Sequence, residues 1–442
     1  MTGSERLGHG FLSMTLLVSV IGFLGYYNAD GFVSLPPTIV YIFQMLCGIL
    51  AALFLRDRLW TNTNAVLPLL LVAIWSAATL IWADDSGIAA RRWFLVFTPG
   101  LLICTLAAGD PRPHQTLIRF AILIIVIVLA SAVFSGAVVA LWDRMVPDNA
   151  LKYFLLYLNG WAVGVAEGGR QYEMGLYIPR YSGFTSNPNS MSLFAAIGVI
   201  ILAAIARPRW NLQGLGIVAI SLSVAFVLLL SGSRASFAMT AVGIFFVVLM
   251  KMNQRQLARL TVFLVCGLIF ALYMTAWAIG TTPEISPVEA QILSERSENW
   301  RVTNLNHNEV FELRERSAAW RIAMAAISDS WASGRGFGMI QEVVYSPLGL
   351  NTGAHSVPLS TILETGILGM VLVLIAWLAP IFNATQLGHP LSVTNIAVIA
   401  LLMGLFVHQA FDSSIFRYHW AHFIFVYLLG ASAGLSGSRT SE

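Results

Sequence analysis

Long apolar segments recur from one end of the 442-residue chain to the other. A hydrocarbon core of about 30 Å requires roughly 20 consecutive apolar residues in a helix, and about twelve segments reach this length. They are approximately residues 10–28, 32–55, 65–83, 93–109, 116–142, 190–206, 215–231, 236–251, 260–279, 357–382, 394–411 and 419–437. The sequence therefore predicts an all-α polytopic membrane protein with about twelve transmembrane helices.

The composition excludes several other classes of protein. The chain is 57% hydrophobic and 11% charged, whereas soluble globular proteins carry about 25% charged residues. The net charge is only +3 and the two lysines are Lys152 and Lys251, so no basic tract is present for binding nucleic acid. The three cysteines lie in apolar segments and indicate neither a disulfide framework nor a metal site.

Arginine and lysine residues in the short loops predict the orientation of the chain, because cytoplasmic loops collect them. With the N-terminus inside, eleven basic residues fall in cytoplasmic segments: Arg6, Arg56, Arg58, Arg112, Arg119, Arg207, Arg209, Lys251, Arg255, Arg259 and Arg439. Four fall in short loops on the outer side: Arg91, Arg92, Arg234 and Arg417. We therefore expect both termini to be cytoplasmic.

Two loops on the outer side are too long to be simple connectors, at about residues 143–189 and 280–355. Long loops of this kind are commonly functional. In the second loop, mainly apolar side chains recur at helical spacing over residues 308–331. This pattern predicts an amphipathic helix lying over the membrane-embedded body. Its inner face would consist of Val310, Leu313, Ser317, Trp320, Met324 and Ile327. We divide the chain into residues 1–279 with nine spans, the loop 280–355, and residues 356–442 with three spans.

Arginines near the membrane boundary are the first candidates for function, because ionisable groups are costly at membrane depth. Arg234 lies in the segment SGSRAS between two spans, where small residues let backbone N–H groups and the guanidinium bind one anion. The alternative is that Arg234 extends to the interface without further role. Arg180, before the sixth span, and Arg91 and Arg92, at the start of the fourth, have the same two interpretations.

The predicted outer helix carries Arg314 and Arg316. Arg316 and Trp320 are four residues apart and are therefore neighbours on the helix surface. One interpretation is that these side chains have a functional role on the outer face. The alternative is an ordinary charged helix face on which Glu312 and Glu315 are the partners of these arginines.

His355 opens the tenth span, and its imidazole can accept a proton near neutral pH, although a lone histidine at a helix start can also be structural. No phosphate-binding loop, nucleophile elbow or HExxH helix is present in the sequence. The acidic pair Asp84-Asp85 lies close to Arg91 and Arg92, which favours a salt-bridged loop over a cation site. Arginines together with a histidine suit a pyrophosphate-bearing substrate that is handled without a metal.

Two pairs of motifs in the second half of the chain keep a characteristic order and spacing. His355-Ser356 is followed by nine residues and then by Gly366-Ile367-Leu368-Gly369. Arg316-Ser317-Ala318-Ala319-Trp320 precedes Gly334-Arg335-Gly336-Phe337-Gly338. Together they resemble the patterns His-[Asn/Ser/Gln]-x9-Gly-x-x-Gly, RxxxW and G-x-G of the O-antigen ligase and Wzy-type polymerase superfamily of bacterial membrane glycosyltransferases.

Shorter matches to the same superfamily occur earlier in the chain. Ser233-Arg234-Ala235-Ser236 is similar to the family's Ser-Arg-Gly, although Ala235 stands where glycine is frequent, and Ser356 replaces the commoner Asn. Weaker matches are Trp82-Ala83-Asp84 with Arg91-Arg92, and Arg180-x-x-Gly183 with Pro188-Asn189. The resemblance covers roughly residues 75–380.

The resemblance implies a GT-C-like helical fold in the bacterial inner membrane, with the active site facing the periplasm and without a cofactor or a metal. It implies inverting transfer of an undecaprenyl-pyrophosphate-linked glycan onto lipid A-core oligosaccharide, the reaction of an O-antigen ligase. By this resemblance His355, Arg234 and Arg316 are expected to be catalytic. Binding of pyrophosphate and glycan is expected from Arg180, Arg234, Arg316, Trp320, Arg314, Arg91 and Arg92.

Two other functions remain open at this point. A Wzy-type polymerase would use the same donor with a second lipid-linked glycan as acceptor. A flippase or other transporter would carry charged residues deep in several spans, whereas Glu364 is the main charged residue inside a span here. The sequence assigns no role to Glu364, Asp412, His408 or His419.

Overall fold

The computed structural model of the chain describes most of the predicted spans and part of the second long loop. The described residues are 2–21, 25–28, 31–34, 37–59, 63–145, 170–171, 177–178, 188–206, 212–231, 233–252, 314–340, 342–343, 356–385, 392–411 and 419–437.

The described residues form mainly helices, with two small antiparallel hairpins. The helices are α1 (Gly3–Ile21), α2 (Pro37–Phe54), α3 (Thr63–Ala78), α4 (Ser86–Ala108), α5 (Pro113–Met145), α6 (Pro188–Ile205), α7 (Leu212–Ser231), α8 (Arg234–Met252), α9 (Arg314–Ser330), α10 (Val357–Thr385), α11 (Val393–Ala410) and α12 (His419–Gly437). Single 3-10 turns are Arg56–Arg58 and Thr79–Trp82, and the hairpins pair Gly25–Asn28 with Gly31–Ser34 and Arg170–Gln171 with Tyr177–Ile178.

Within the described part of the chain, four helical segments are long and apolar enough to cross a membrane. They are Ser86–Ala108, Pro113–Val133, Val357–Phe382 and Val393–Ala410. Shorter apolar helical segments are Tyr41–Phe54, Val66–Trp82, Asn189–Ile205, Gly214–Leu228, Ala235–Lys251 and His422–Ser432. Helices suit this environment because a helix satisfies its own backbone hydrogen bonds where lipid offers none.

Helices α6, α11 and α12 contribute most to the core of the bundle. Every residue from Ile396 to Phe406 in α11 is buried, as is every residue from His422 to Ala431 in α12. The outer helices α2 and α7 instead expose large apolar side chains, among them Ile42, Phe43, Leu53, Leu222 and Phe226. A helix that is apolar all round belongs in a core. An apolar face left open on an outer helix is typical of a surface that contacts lipid.

Small residues bring the core helices close together. A Cβ on Gly404 of α11 would lie 2.8 Å from the carbonyl oxygen of Met239 in α8. A Cβ on Gly430 of α12 would overlap the carbonyl oxygen of Cys104 in α4. In membranes, helix association depends on such close packing, because lipid tails are as apolar as the side chains they replace.

The predicted spans agree with the helices except near the first turn of the chain. Helices α1–α8 and α10–α12 overlap eleven of the predicted segments, and the segment 260–279 lies outside the described residues. The first helix lies earlier than predicted, and Gly25–Asn28 pairs with Gly31–Ser34 where the ends of two spans were expected. The apolar character of these residues misled the prediction, because tyrosine, phenylalanine and valine also favour strands. The number of spans and their orientation remain predictions.

The outer helix is confirmed over most of its predicted length. Residues 308–331 were expected to be helical, and the structure has Arg314–Ser330 as α9, while residues 308–313 lie outside the described residues. Its buried face contains Trp320, Ala323 and Ile327. Helix α9 packs against α10, so the predicted contact of this helix with the membrane-embedded body is confirmed.

Candidate functional site

A glycine-rich turn follows α9 and has a backbone that favours glycine at three positions. Gly334, Gly336 and Gly338 have φ angles of 70°, 102° and 82°. A side chain at positive φ is strained, and here each glycine also lies against a neighbour. A Cβ on Gly334 would lie 2.5 Å from the carbonyl oxygen of Glu364, and one on Gly338 would lie 2.8 Å from Cδ of Arg92. The motif thus permits a close approach of the turn to α10 and α4.

Helix α10 is broken at Gly366, where φ is 69° and ψ is −175°. A Cβ at this position would overlap the carbonyl oxygen of Ala332 in the glycine-rich turn. The two signature segments, Gly334–Gly338 and Gly366–Gly369, therefore meet through glycines on both sides. Neither segment could approach the other so closely with a larger residue at the contact.

Three backbone hydrogen bonds join the turn to the break in α10. The amide of Arg335 donates to the carbonyl of Leu363 at 2.8 Å. The amide of Gly336 donates to the carbonyl of Glu364 at 2.9 Å, and the amide of Ile367 donates to the carbonyl of Trp331 at 2.9 Å. Backbone groups that lose their helical hydrogen bonds at the break thus form hydrogen bonds with the turn. Such partners are needed because a membrane offers little water to replace them.

The carboxylate of Glu364 provides a fourth link. Its Oε1 accepts a hydrogen bond from the amide of Ile340 at 3.1 Å, and the residue is only 6% exposed. A buried carboxylate that accepts backbone N–H groups stabilises the segment that donates them. Glu364 therefore holds the end of the glycine-rich turn from inside α10.

The end of α3 and the 3-10 turn that follows it support the same junction from the other side. The indole Nε1 of Trp75 donates to the carbonyl of Thr365 at 2.8 Å, next to the helix break. The indole Nε1 of Trp82 donates to the carbonyl of Ser333 at 3.3 Å, and Oγ1 of Thr79 accepts from the amide of Phe337 at 3.0 Å. The predicted weak match around Trp82 thus belongs to the same structural unit as the stronger motifs.

Arg92 on α4 binds the C-terminal end of the glycine-rich turn. Its guanidinium donates to both carboxylate oxygens of Glu342, at 2.8 Å and 3.1 Å, and also to the carbonyl of Gly338. Such a two-point contact is the strongest geometry for an arginine–carboxylate pair. Arg92 therefore already has an anionic partner.

The contacts of the acidic pair before α4 differ from those predicted from the sequence. Asp84 and Asp85 were expected to form a salt-bridged loop with Arg91 and Arg92. Instead, Oδ1 of Asp85 accepts the amide of Ile88 at 2.9 Å and caps α4, while Arg92 binds Glu342. An aspartate immediately before a helix satisfies one of the free N–H groups of the first turn, which explains this outcome. Arg91 is exposed.

Helix α9 reaches the first turn of α10. Ala323 is fully buried and packs with Leu359 of α10 and with Ile340 at the end of the glycine-rich turn. Arg316 precedes Ala323 by seven residues on α9, and His355 precedes Leu359 by four residues. The middle of the helix that carries Arg316 therefore contacts the first turn of α10, which begins two residues after His355.

A second group of signature residues lies where α6 and α8 begin. The hydroxyl groups of Ser192 and Ser236 are 2.8 Å apart, and both residues are buried. Because each serine lies in the first two turns of its helix, α6 and α8 begin at the same end of the bundle. The segment after Pro188-Asn189 thus meets the SRAS segment that contains Arg234.

Comparison with known families agrees with this arrangement. The family model described as O-antigen ligase (Wzy_C) matches residues 219–374, which include the start of α8, the glycine-rich turn and the break in α10. This match supports the resemblance of the chain to the O-antigen ligase and Wzy-type polymerase superfamily. No curated protein matches the chain. Members of this family are membrane glycosyltransferase-like ligases and polymerases, so the match supports an enzyme of this broad kind. Together with the apolar helices, it indicates a multi-pass bacterial membrane protein.

Not all residues expected from the superfamily can be located. His355 and Arg180 lie outside the described residues. Arg234 begins α8, and Arg314 and Arg316 lie in the first turn of α9; the side chains of these three arginines are outside the description. Ser356, the neighbour of His355, is buried. The catalytic assignments therefore remain predictions.

Trp320 lies inside the fold. It was expected to bind glycan, but its side chain is 2% exposed. In this conformation the indole of Trp320 is thus part of the packing between α9 and the body of the protein.

The sequence analysis missed two residues of the junction. Glu364 was noticed without a role, because no helical pattern reveals that its carboxylate binds an amide in another segment. Arg335 was treated only as the variable residue between two glycines. Its Nη2 is 3.9 Å from Oδ2 of Asp329, and its Nε is buried without a hydrogen-bond partner among the described residues. Within this part of the chain, no three His, Cys, Asp or Glu side chains are grouped as ligands for a metal.

Proposed function

We propose that the protein transfers an undecaprenyl-pyrophosphate-linked glycan onto lipid A-core oligosaccharide at the periplasmic face of the inner membrane. The observation that supports this proposal most is the junction of the glycine-rich turn with the break in α10. It holds the helix that carries Arg316 against the segment that follows His355. A fixed geometry between a phosphate-binding arginine and a proton acceptor is what such a transfer requires.

In the proposed reaction, the acceptor hydroxyl oxygen forms a bond to the anomeric carbon of the donor. The bond between that carbon and the phosphate oxygen breaks, and undecaprenyl pyrophosphate leaves with the bonding electrons. His355 accepts the proton of the attacking hydroxyl. Arg234 and Arg316 neutralise the charge that develops on the leaving pyrophosphate. Attack from the side opposite to the leaving group inverts the anomeric centre.

Arginine suits the leaving-group role without a metal. Its guanidinium is always charged and binds two phosphate oxygens at once. Arg234 is the first residue of α8, and the start of a helix adds a partial positive charge of its own. Replacing Arg316 by lysine should therefore impair transfer, since a point charge cannot reproduce the two-point contact. Arg321→Lys, five residues further along the same helix, is the matched control.

The acceptor distinguishes the ligase from a polymerase of the same superfamily. The assay would incubate the purified protein in liposomes with the lipid-linked glycan donor and lipid A-core, in the presence of EDTA. The proposal predicts glycan attached to lipid A-core. A longer lipid-linked glycan with unmodified lipid A-core would identify a polymerase. Consumption of neither substrate under any condition would contradict both and favour transport.

A further inference from the structure

A groove lies between α1 and α5, away from the junction described above. Its volume is about 190 Å³. Its walls are mainly apolar and include Leu17, Phe120 and Leu123, while Thr116 and Arg119 give it a polar edge. Arg119 is exposed and lies six residues after the start of α5, about 9 Å along the helix axis. This distance is comparable to the thickness of one headgroup layer of a bilayer.

A buried network fixes the polar edge of the groove. Both oxygens of Asp110, in the turn between α4 and α5, are occupied. Oδ1 accepts from the amide of Arg112 at 2.9 Å and contacts Nδ1 of His9 at 3.0 Å. Oδ2 accepts from the hydroxyls of Thr116 at 2.8 Å and Tyr427 at 3.4 Å. The carboxylate is thus satisfied by partners other than Arg119.

The contact with Asp110 also sets the tautomer of His9. When Nδ1 of His9 donates to the carboxylate, Nε2 is left as an acceptor. Nη1 of Arg119 lies 3.4 Å from that Nε2. This contact uses one of the five N–H groups of the guanidinium and holds it beside the groove. The positive charge of Arg119 is therefore presented at the mouth of an apolar groove.

The size and surroundings of the groove identify the class of ligand. Pockets that enclose a small soluble ligand usually measure about 300–1,000 Å³, so this groove can hold only part of a molecule. The neighbouring outward faces of α1 and α5 expose Met14, Ile122 and Val126, as expected for surfaces in contact with lipid. A molecule that is partly in the groove and partly in the bilayer meets both conditions.

We propose that this groove binds one anionic phospholipid of the surrounding membrane. The phosphate group binds Arg119, and the adjoining part of one acyl chain lies against Leu17, Phe120 and Leu123. Basic pockets between membrane helices commonly recognise anionic headgroups in this way. The inference is independent of the proposed transferase function, because it rests on helices that carry none of the predicted catalytic residues.

Native mass spectrometry of the full-length protein tests the proposal. The probes are dioleoyl phosphatidylglycerol and dioleoyl phosphatidylcholine, which share their acyl chains and differ in net charge. The intact protein should retain phosphatidylglycerol preferentially. Arg119→Ala should weaken that binding about fivefold, the effect expected for one arginine near the headgroups. Arg112→Ala is the matched control, because its contact with Asp110 uses the backbone amide and survives the substitution.

A second variant tests the groove without removing the charge. A Cβ at Gly10, which lines the groove, would meet no atom within 4 Å, so Gly10→Leu introduces a side chain into open space. We expect this variant to lose binding of both phospholipids at the site while keeping the thermal midpoint of the unaltered protein. The proposal would be overturned if Arg119→Ala and Arg112→Ala weakened phosphatidylglycerol binding equally, or if Gly10→Leu did not weaken it. Displacement of phosphatidylglycerol by equimolar undecaprenyl phosphate would also overturn it and assign the groove to a polyprenyl lipid.

Discussion

The backbone amide of Gly336 donates a hydrogen bond to the carbonyl oxygen of Glu364, and this 2.9 Å contact joins the glycine-rich turn to α10 just before its break. Gly336 belongs to the first signature segment, and Glu364 lies two residues before Gly366, which begins the second. Their contact explains why both segments are rich in glycine: the backbones approach so closely that side chains would overlap. It also links the helix of the outer loop to a helix of the membrane-embedded body.

Replacing Gly366 by alanine should destabilise the protein by about 2–4 kcal/mol, because the residue has a positive φ and a Cβ would overlap Ala332. Gly216→Ala, in the exposed part of α7 where a Cβ meets no atom, is the matched control. Thermal unfolding of the detergent-solubilised protein measures the effect. Equal midpoints for the two variants would show that the break in α10 is not needed for stability.

Replacing Glu364 by alanine should lower the free energy of unfolding by about 1–3 kcal/mol, since the amide of Ile340 would lose its acceptor in a buried position. Glu364→Gln keeps an oxygen at this place and should retain more of the stability. We expect the transfer rate to fall in the same order, because the carboxylate positions the turn and does not contact the substrate. A glutamine variant as defective as the alanine variant would instead indicate that the negative charge itself is required.

Variants of Arg92 and Glu342 distinguish two roles for this arginine. If Arg92 holds the turn, Arg92→Ala and Glu342→Ala should lower transfer to a similar extent. The double variant should then be little worse than either one. Since both side chains are partly exposed, we expect a coupling energy of only about 0.5–1 kcal/mol in unfolding measurements. Strong loss of transfer in Arg92→Ala with normal activity in Glu342→Ala would support substrate binding by Arg92.

The helices could largely be predicted from the sequence, because long apolar segments in a membrane have few alternatives to the helix. The pairing of Gly25–Asn28 with Gly31–Ser34 could not, since Tyr26, Phe32 and Val33 extend the apolar segments on either side. Helical spacing in the outer loop correctly indicated an amphipathic helix with Trp320 and Ile327 on its buried face. The predicted first residues of this helix, 308–313, lie outside the described residues.

The junction could be predicted only in part. The motifs at Gly334 and Gly366 were recognised by resemblance, but their contact depends on two single φ angles that no periodicity reveals. The pairing of Arg92 with Glu342 joins residues far apart in the sequence. One sequence contains no signal for such a pair. The same holds for the bond between Glu364 and the amide of Ile340.

The transfer rate of His355→Ala tests the central claim most directly. The initial rate would be measured in liposomes with lipid-linked donor and lipid A-core, using His307→Ala as the control from the same long loop. The account predicts a loss of at least about 100-fold for His355→Ala, the contribution of a general base, and a normal rate for His307→Ala. Equal and undiminished rates for the two variants, at equal amounts of folded protein, would contradict it.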